Sequence, residues 1–153
     1  MNWRIESIAA HPGVVDTLAA WHHGEWGELM APWSLEDARR ELQEHVAAGS
    51  GYPATLVALA DHDQVLGSVS LIATDAPEFP QYTPWLASLY VAPAARGAGL
   101  GSALVRAIIE HAHQLGFATL YLITPGSPQI YLNCGWREQG TLRLGDREVV
   151  LMV

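Results

Sequence analysis

Apolar residues recur at helical spacing through the first third of the chain and then gather into short runs, and this change of period predicts the order of elements. Trp3 to Ala9 is short and mixed, as an opening strand would be. His11-Pro12 starts a helix, with proline tolerated in the first turn, and Val14, Val15, Leu18, Ala19 and Trp21 supply its apolar face. The pattern breaks around Gly24 to Pro32. Ser34 with Asp37 predicts an N-terminal cap and a helix through Leu42 and Val46, stopping near Gly49. Ala54 to Ala60 and Val65 to Ala73 read as strands joined at Asp61-His62-Asp63, hence an antiparallel hairpin, with Gly67 marking a bulge in the second.

Thr74 to Pro84 holds Pro77, Pro80 and Pro84 and is a loop long enough to serve a binding site. Trp85 to Val91 is a strand. Leu100, Leu104, Ile108 and Leu115 set the buried face of a helix that Gly116 ends. Ala118 to Ile123 reads as a strand buried on both sides, and Thr124 to Ser127 turns into a short helix, Gln129 to Asn133, ended by Gly135. Trp136 to Gln139 and Glu148 to Val153 close the sheet, with a turn at Gly145-Asp146. The class is α/β (α+β), with about seven strands and about four helices.

With 153 residues, 50% of them hydrophobic and 16% charged, the chain suits one compact domain over 1–153. No apolar run reaches the length of a membrane span and Met1 to Arg4 leads into no signal-like stretch, so a cytoplasmic protein without a membrane partner is expected. One cysteine, Cys134, fits a reducing compartment and reads as a packed side chain with no activating neighbour. The formal net charge of -8, with only 8 Lys and Arg, argues against nucleic acid and suits a cationic partner such as an amine. His22-His23 with Glu25, or His111 with His113, make poor metal ligand sets, because residues one or two apart on a helix face different ways and zinc needs three or four converging groups. No metal is expected.

The chemistry concentrates in Leu89 to Ser102, an apolar strand, a proline-stopped turn, alternating glycines and the opening of a helix. Gly97, Gly99 and Gly101 leave backbone open to a ligand, and the unpaired N–H groups of a helix start make a seat for phosphate. A dinucleotide fingerprint would need its third glycine one residue later and an acid near Leu120, and a P-loop would need a lysine between Gly101 and Ser102. What remains is R-x-x-G-x-G at Arg96 to Gly101, preceded by V-x-P at Val91 to Pro93. This resembles the coenzyme A-binding motif of the GNAT family of N-acetyltransferases. I-Y-L-N-C-G-W from Ile130 to Trp136 is similar to a second segment of that family.

The resemblance implies a mixed, mostly antiparallel sheet with splayed central strands, and acetyl-CoA as co-substrate. It assigns Leu89 and Val91 to the pantetheine arm, and Arg96, Gly97, Ala98, Gly99, Leu100, Gly101 and Ser102 to the pyrophosphate. It makes Tyr131 the general acid for the departing thiolate, a role a phenol of pKa about 10 can fill, and places the oxyanion donor among the backbone N–H groups of Leu89 to Val91. Where many members carry a carboxylate before the glycine turn, this chain has Trp85 and Ala87, and Ser88 is a poor base. The base is then open between Glu25 and Glu28, Asp75 and Glu78, and ordered water. Trp21, Trp26, Trp33 and Trp85 either wall the acceptor pocket or fill the core. The expected activity is acetyl transfer to a small-molecule primary amine within a ternary complex, with a protein or peptide amine, or a non-catalytic coenzyme A sensor, as alternatives. The expected assembly is a monomer or homodimer.

Overall fold

The computed structural model describes residues 2–27, 32–49, 51–74, 78–124, 128–144 and 147–153. The elements run β1 (Arg4–Ser7), α1 (Val15–Trp26), α2 (Leu35–Ala47), β2 (Ala54–Leu59), β3 (Val65–Ile72), β4 (Trp85–Val91), α3 (Leu100–Gln114), β5 (Leu122–Thr124), α4 (Gln129–Leu132), β6 (Glu138–Leu144) and β7 (Arg147–Met152). This is the expected order. β1-β2-β3-β4 form one antiparallel sheet and β5-β7-β6 another. Among the described residues the two meet at a single parallel bridge between Trp85 and Tyr121, where Leu86 N–H donates to Tyr121 O and Tyr121 N–H to Pro84 O. Beyond that bridge no pairing joins β4 and β5 among the described residues, and a cleft opens there at the centre of the sheet.

Two bulges shape the four-stranded sheet. In the hairpin of β2 and β3 the register shifts between Ala58 and Leu59, opposite Leu66 and Gly67. Gly67 is required there because a Cβ would lie 2.6 Å from the Tyr90 carbonyl oxygen. On β4, Ser68 pairs with Tyr90 and Ser70 with Ala87, so Ser88 and Leu89 together oppose Val69 alone. Ser88 takes φ 54, in the left-handed region that non-glycine residues enter at a cost of about 1–2 kcal/mol. The extra residue exchanges the two faces of the strand. Leu86, Leu89 and Val91 all turn to the α3 side, and Tyr90 turns to α1, where its ring lies 5.4 Å from that of Trp21.

One core fills the α3 side, with Leu100, Leu104, Val105 and Ile108 against Leu56, Val69, Leu71 and Leu86. A second lies under α1 and α2, where Val15, Leu18, Ala19, Ala38 and Leu42 cover Val57 and Leu59. α2 begins with a capping box, the Ser34 hydroxyl accepting from Asp37 N–H and the Asp37 carboxylate from Ser34 N–H.

The structure moves several boundaries. α1 starts at Val15 after two short 3-10 turns and runs on through Gly24 and Glu25 to Trp26, past the point where the pattern breaks. Nothing lies near an added Cβ at Gly24, and packing of α1 on α2 holds the turn that propensity alone would release. Leu115 is exposed rather than buried, because the helix has ended and Gly116 at φ 92 redirects the chain. β5 begins at Leu122 rather than Ala118, and β6 extends to Leu144 rather than stopping at Gln139. The turn expected at Gly145-Asp146 lies outside the described residues.

Candidate active site

β4 delivers the chain into a turn and α3 takes it out again. Gly97 and Gly99 take φ 85 and 84 with open space where a Cβ would stand, so their need is conformational. Gly99 caps α3 in the left-handed conformation, and the first helical bond runs from Ala103 N–H to Gly99 O. The N–H groups of Leu100, Gly101 and Ser102 therefore have no acceptor within the helix and point out of its positive end. Gly101 serves a different purpose, since a Cβ there would meet Ile130 Cδ1 at 2.8 Å. It lets α4 close on α3. Arg96 is tied back to the strand, its Nε donating to Val91 O at 2.9 Å and its guanidinium 5.8 Å from the Tyr90 ring centre.

A groove of about 380 Å³ follows this turn, lined by Leu89, Val91, Arg96, Gly97, Gly99, Leu100, Gly101, Ser102 and Ile130 among others. A second cavity of about 680 Å³ occupies the opening between β4 and β5. Its walls bring Trp26, Trp33 and Tyr52 together with Glu25, Glu41, Glu44 and His45, and Ser88, Leu89 and Tyr131 close one side. No lysine or arginine is among the lining residues. Glu25 and Leu89 line both spaces, which places them at the junction.

Tyr131 packs edge-on to Trp136, ring centres 6.2 Å apart, and its carbonyl accepts from the N–H groups of Cys134 and Trp136. Gly135 at φ 93 makes that reversal possible. On the opposite wall Glu41 accepts from Trp33 Nε1 at 2.9 Å, and burial raises its pKa above the usual carboxylate value. His45 Nδ1 lies 2.6 Å from Thr55 Oγ1, which bonds Ser70 Oγ at 2.8 Å. Burial lowers the His45 pKa, and it lowers that of His22 to about 4, with the charge of His45 adding to the effect on His22.

A strand, a glycine turn whose amides open a helix, and a cleft beside them are an arrangement many acyl carriers could use, and comparison decides between them. Residues 18–132 match the model of the Acetyltransferase (GNAT) family. The chain belongs to the GNAT family. Over 108 residues it is 32% identical to a mycothiol acetyltransferase of Renibacterium salmoninarum, which covers 71% of this chain and 30% of the relative. This chain therefore spans less than a third of that protein's length. Its fold is similar to that of an aminoglycoside 6'-acetyltransferase type Ii, at TM-score 0.73 and 19% identity over 97% of this chain and 94% of the other. It is similar too to a spermidine N-acetyltransferase from Vibrio cholerae solved with CoA and spermine, at TM-score 0.70 and 17% identity over 98% and 93%.

For a GNAT protein, most of the motif residues fall where the groove is. Ala98 does not line it. Glu25 reaches the junction from the last turn of α1, whereas Glu28 and Asp75 lie outside the described residues and Glu78 lines neither cavity. The tryptophans divide. Trp26 and Trp33 wall the cavity; Trp21 packs on Tyr90, and Trp85 is fully buried in a small core with Leu151. His22 faces Ser68 while His23 faces Trp33 O, and His111 bonds Gly51 O. Among the described residues no three His, Cys, Asp or Glu side chains converge as metal ligands would. Cys134 lines neither space and directs its Sγ to Ser102 O at 3.9 Å. Glu41, His45 and Tyr52 were not foreseen, and Ser88, weighed only as a poor base, lines the cavity at a bulge. His45 comes three residues after Leu42 and seven after Ala38, which marks it as a buried-stripe position in the sequence itself.

Proposed function

We propose that the whole chain, residues 1–153, acts as one acetyltransferase domain that moves the acetyl group of acetyl-CoA to a primary amine of a small molecule. The observation that carries this is the meeting of the glycine-turn groove and the aromatic, acidic cavity at Glu25 and Leu89. In this reading the amides of Leu100 to Ser102 hold the pyrophosphate and Leu89 and Val91 hold the pantetheine arm. The thioester then lies at the junction, with the acceptor amine entering from the cavity.

The amine nitrogen attacks the thioester carbonyl carbon, a C–N bond forms, and the C–S bond breaks. A backbone N–H of β4 donates to the carbonyl oxygen as negative charge develops on it. Tyr131 gives its phenol proton to the departing sulfur. The nitrogen gives up its proton on the cavity side, where Glu25 is the carboxylate at the junction. Transfer is direct, supported by the seating of Cys134 against the Ser102 carbonyl, away from both spaces. Trp26, Trp33 and Tyr52 with Glu25, Glu41 and Glu44 suit a cationic amine on a ring-bearing or apolar body. The spermidine enzyme of similar fold accords with such an acceptor.

A thermal melt with acetyl-CoA, run beside a thiol-release assay over mono- and polyamines, tests this. At 100 times its dissociation constant a ligand adds about 2.7 kcal/mol, a shift of several degrees at roughly 2–4 °C per kcal/mol. The expected result is a shift together with amine-dependent thiol release. A shift without release by any amine would point to a coenzyme A sensor instead, and no shift would overturn the assignment of the groove.

A further inference from the structure

Two polar side chains on the buried face of the sheet take no part in the chemistry above. His22 occupies the apolar stripe of α1, four residues after Leu18 and three after Ala19, and is 3% exposed. Ser68 faces it from β3 and is fully buried. His22 Nε2 lies 2.9 Å from Ser68 Oγ, and Ser68 Oγ donates to the carbonyl oxygen of Ser88 at 3.3 Å. The protons of this chain have one arrangement. A carbonyl only accepts, so the single hydroxyl proton of Ser68 goes to Ser88. The serine oxygen must then accept from the ring, and Nε2 carries the hydrogen. Burial keeps the imidazole neutral at pH 7, and the hydrogen bond to Ser68 fixes which nitrogen carries its one proton.

The carbonyl at the end of the chain belongs to the bulged peptide. Ser88 stands at φ 54, a conformation from which a serine relaxes by rotating its peptide unless something holds it. In a trans peptide the C=O and N–H point in opposite directions. Holding Ser88 C=O toward β3 turns Leu89 N–H away from β3. β4 is the edge of its sheet on that side, where Leu89 lines both the groove and the cavity.

Resting on the acetyl-transfer reading, we propose that His22 and Ser68 are positioning residues that orient the Ser88–Leu89 peptide so that Leu89 N–H donates to the thioester carbonyl. His22 thereby contributes to the reaction from beneath the sheet without touching substrate. Burying both polar groups is tolerable only because each is hydrogen-bonded.

The test is the infrared carbonyl stretch of carbonyl-13C acetyl-CoA bound to the full chain, compared with free acetyl-CoA. The wild type should show the stretch moved to lower frequency. Ser68→Ala should lose most of that displacement and lower kcat about tenfold to a hundredfold, with KM for acetyl-CoA within about twofold. His22→Leu, which fills the same stripe, should do the same from the other end. His22→Gln, whose amide N–H can replace Nε2–H, should restore both the stretch and kcat. A displaced stretch that survives Ser68→Ala and His22→Leu would overturn the positioning role alone. A wild type that does not bind acetyl-CoA would overturn the transfer reading and the role of this amide with it.

Discussion

Ser88 and Tyr131 show how differently two residues of one site can be specified. Tyr131 sits in a segment whose spacing to Gly135 and Trp136 announces it, and the fold places it on the cavity wall with Trp136 against its ring. In the role proposed for it, proton donor to the leaving sulfur, it would act only in the transition state. Tyr131→Phe should therefore reduce kcat by roughly a hundredfold or more. The melting shift produced by acetyl-CoA should stay at the wild-type value. Equal turnover in the two proteins would remove the acid role. Ser88 had no such signature. It read as a weak base at a position where a carboxylate was missing, yet what it supplies is a bent backbone and a carbonyl aimed at Ser68.

At the scale of elements, α2 carries more of the cavity wall than its polar composition suggested. Glu41, Glu44 and His45 rise from it into the cavity, and Trp33 precedes its cap. Its amphipathic stripe is short, with Ala38, Leu42 and His45 as its buried residues, so the capping box has a large share in holding the first turn. Ser34→Ala should lower unfolding stability by about 1 kcal/mol, read as an earlier urea midpoint with an unchanged slope. A midpoint equal to the wild type would mean that packing on α1 alone fixes the helix start. α1 shows the same division of labour. Its sequence pattern stops near Gly24, but contact with α2 carries it a further turn and brings Glu25 and Trp26 to the site.

For the molecule as a whole, the two buried histidines couple stability to acid. His22 is held neutral by burial down to about pH 4, while the unfolded chain protonates it near 6.5. Between those values the unfolded state binds the extra proton, so stability falls as pH drops and is fully regained above 6.5. The His22 contribution amounts to roughly 3 kcal/mol between pH 7 and pH 4, and His45 acts in the same direction. His22→Gln should flatten the curve of unfolding free energy against pH over that window, measured by urea titration at pH 7, 5.5 and 4. An unchanged slope would mean that His22 is not buried neutral in solution.

What the sequence determined by itself was local in origin. The order of elements follows from hydrophobic period, helix starts and stops follow from Ser34, Gly49 and Gly116, and the left-handed turn that opens α3 follows from Gly97 and Gly99. Each of these depends on residues a few positions apart, so the chain states them directly. The tertiary structure alone decided which polar residues were brought under the sheet and which way the β4 peptides turned. His22, Ser68 and Ser88 lie 46 and 20 residues apart along the chain, and no local pattern joins them. It also decided which tryptophans became wall and which became core, because that depends on where β4 and β5 part. A strand's alternation fixes its faces only while the ladder is regular. One extra residue at Ser88 exchanges them, and the energy that favours the exchange comes from Leu86, Leu89 and Val91 packing on the α3 side and Tyr90 packing on Trp21 of α1.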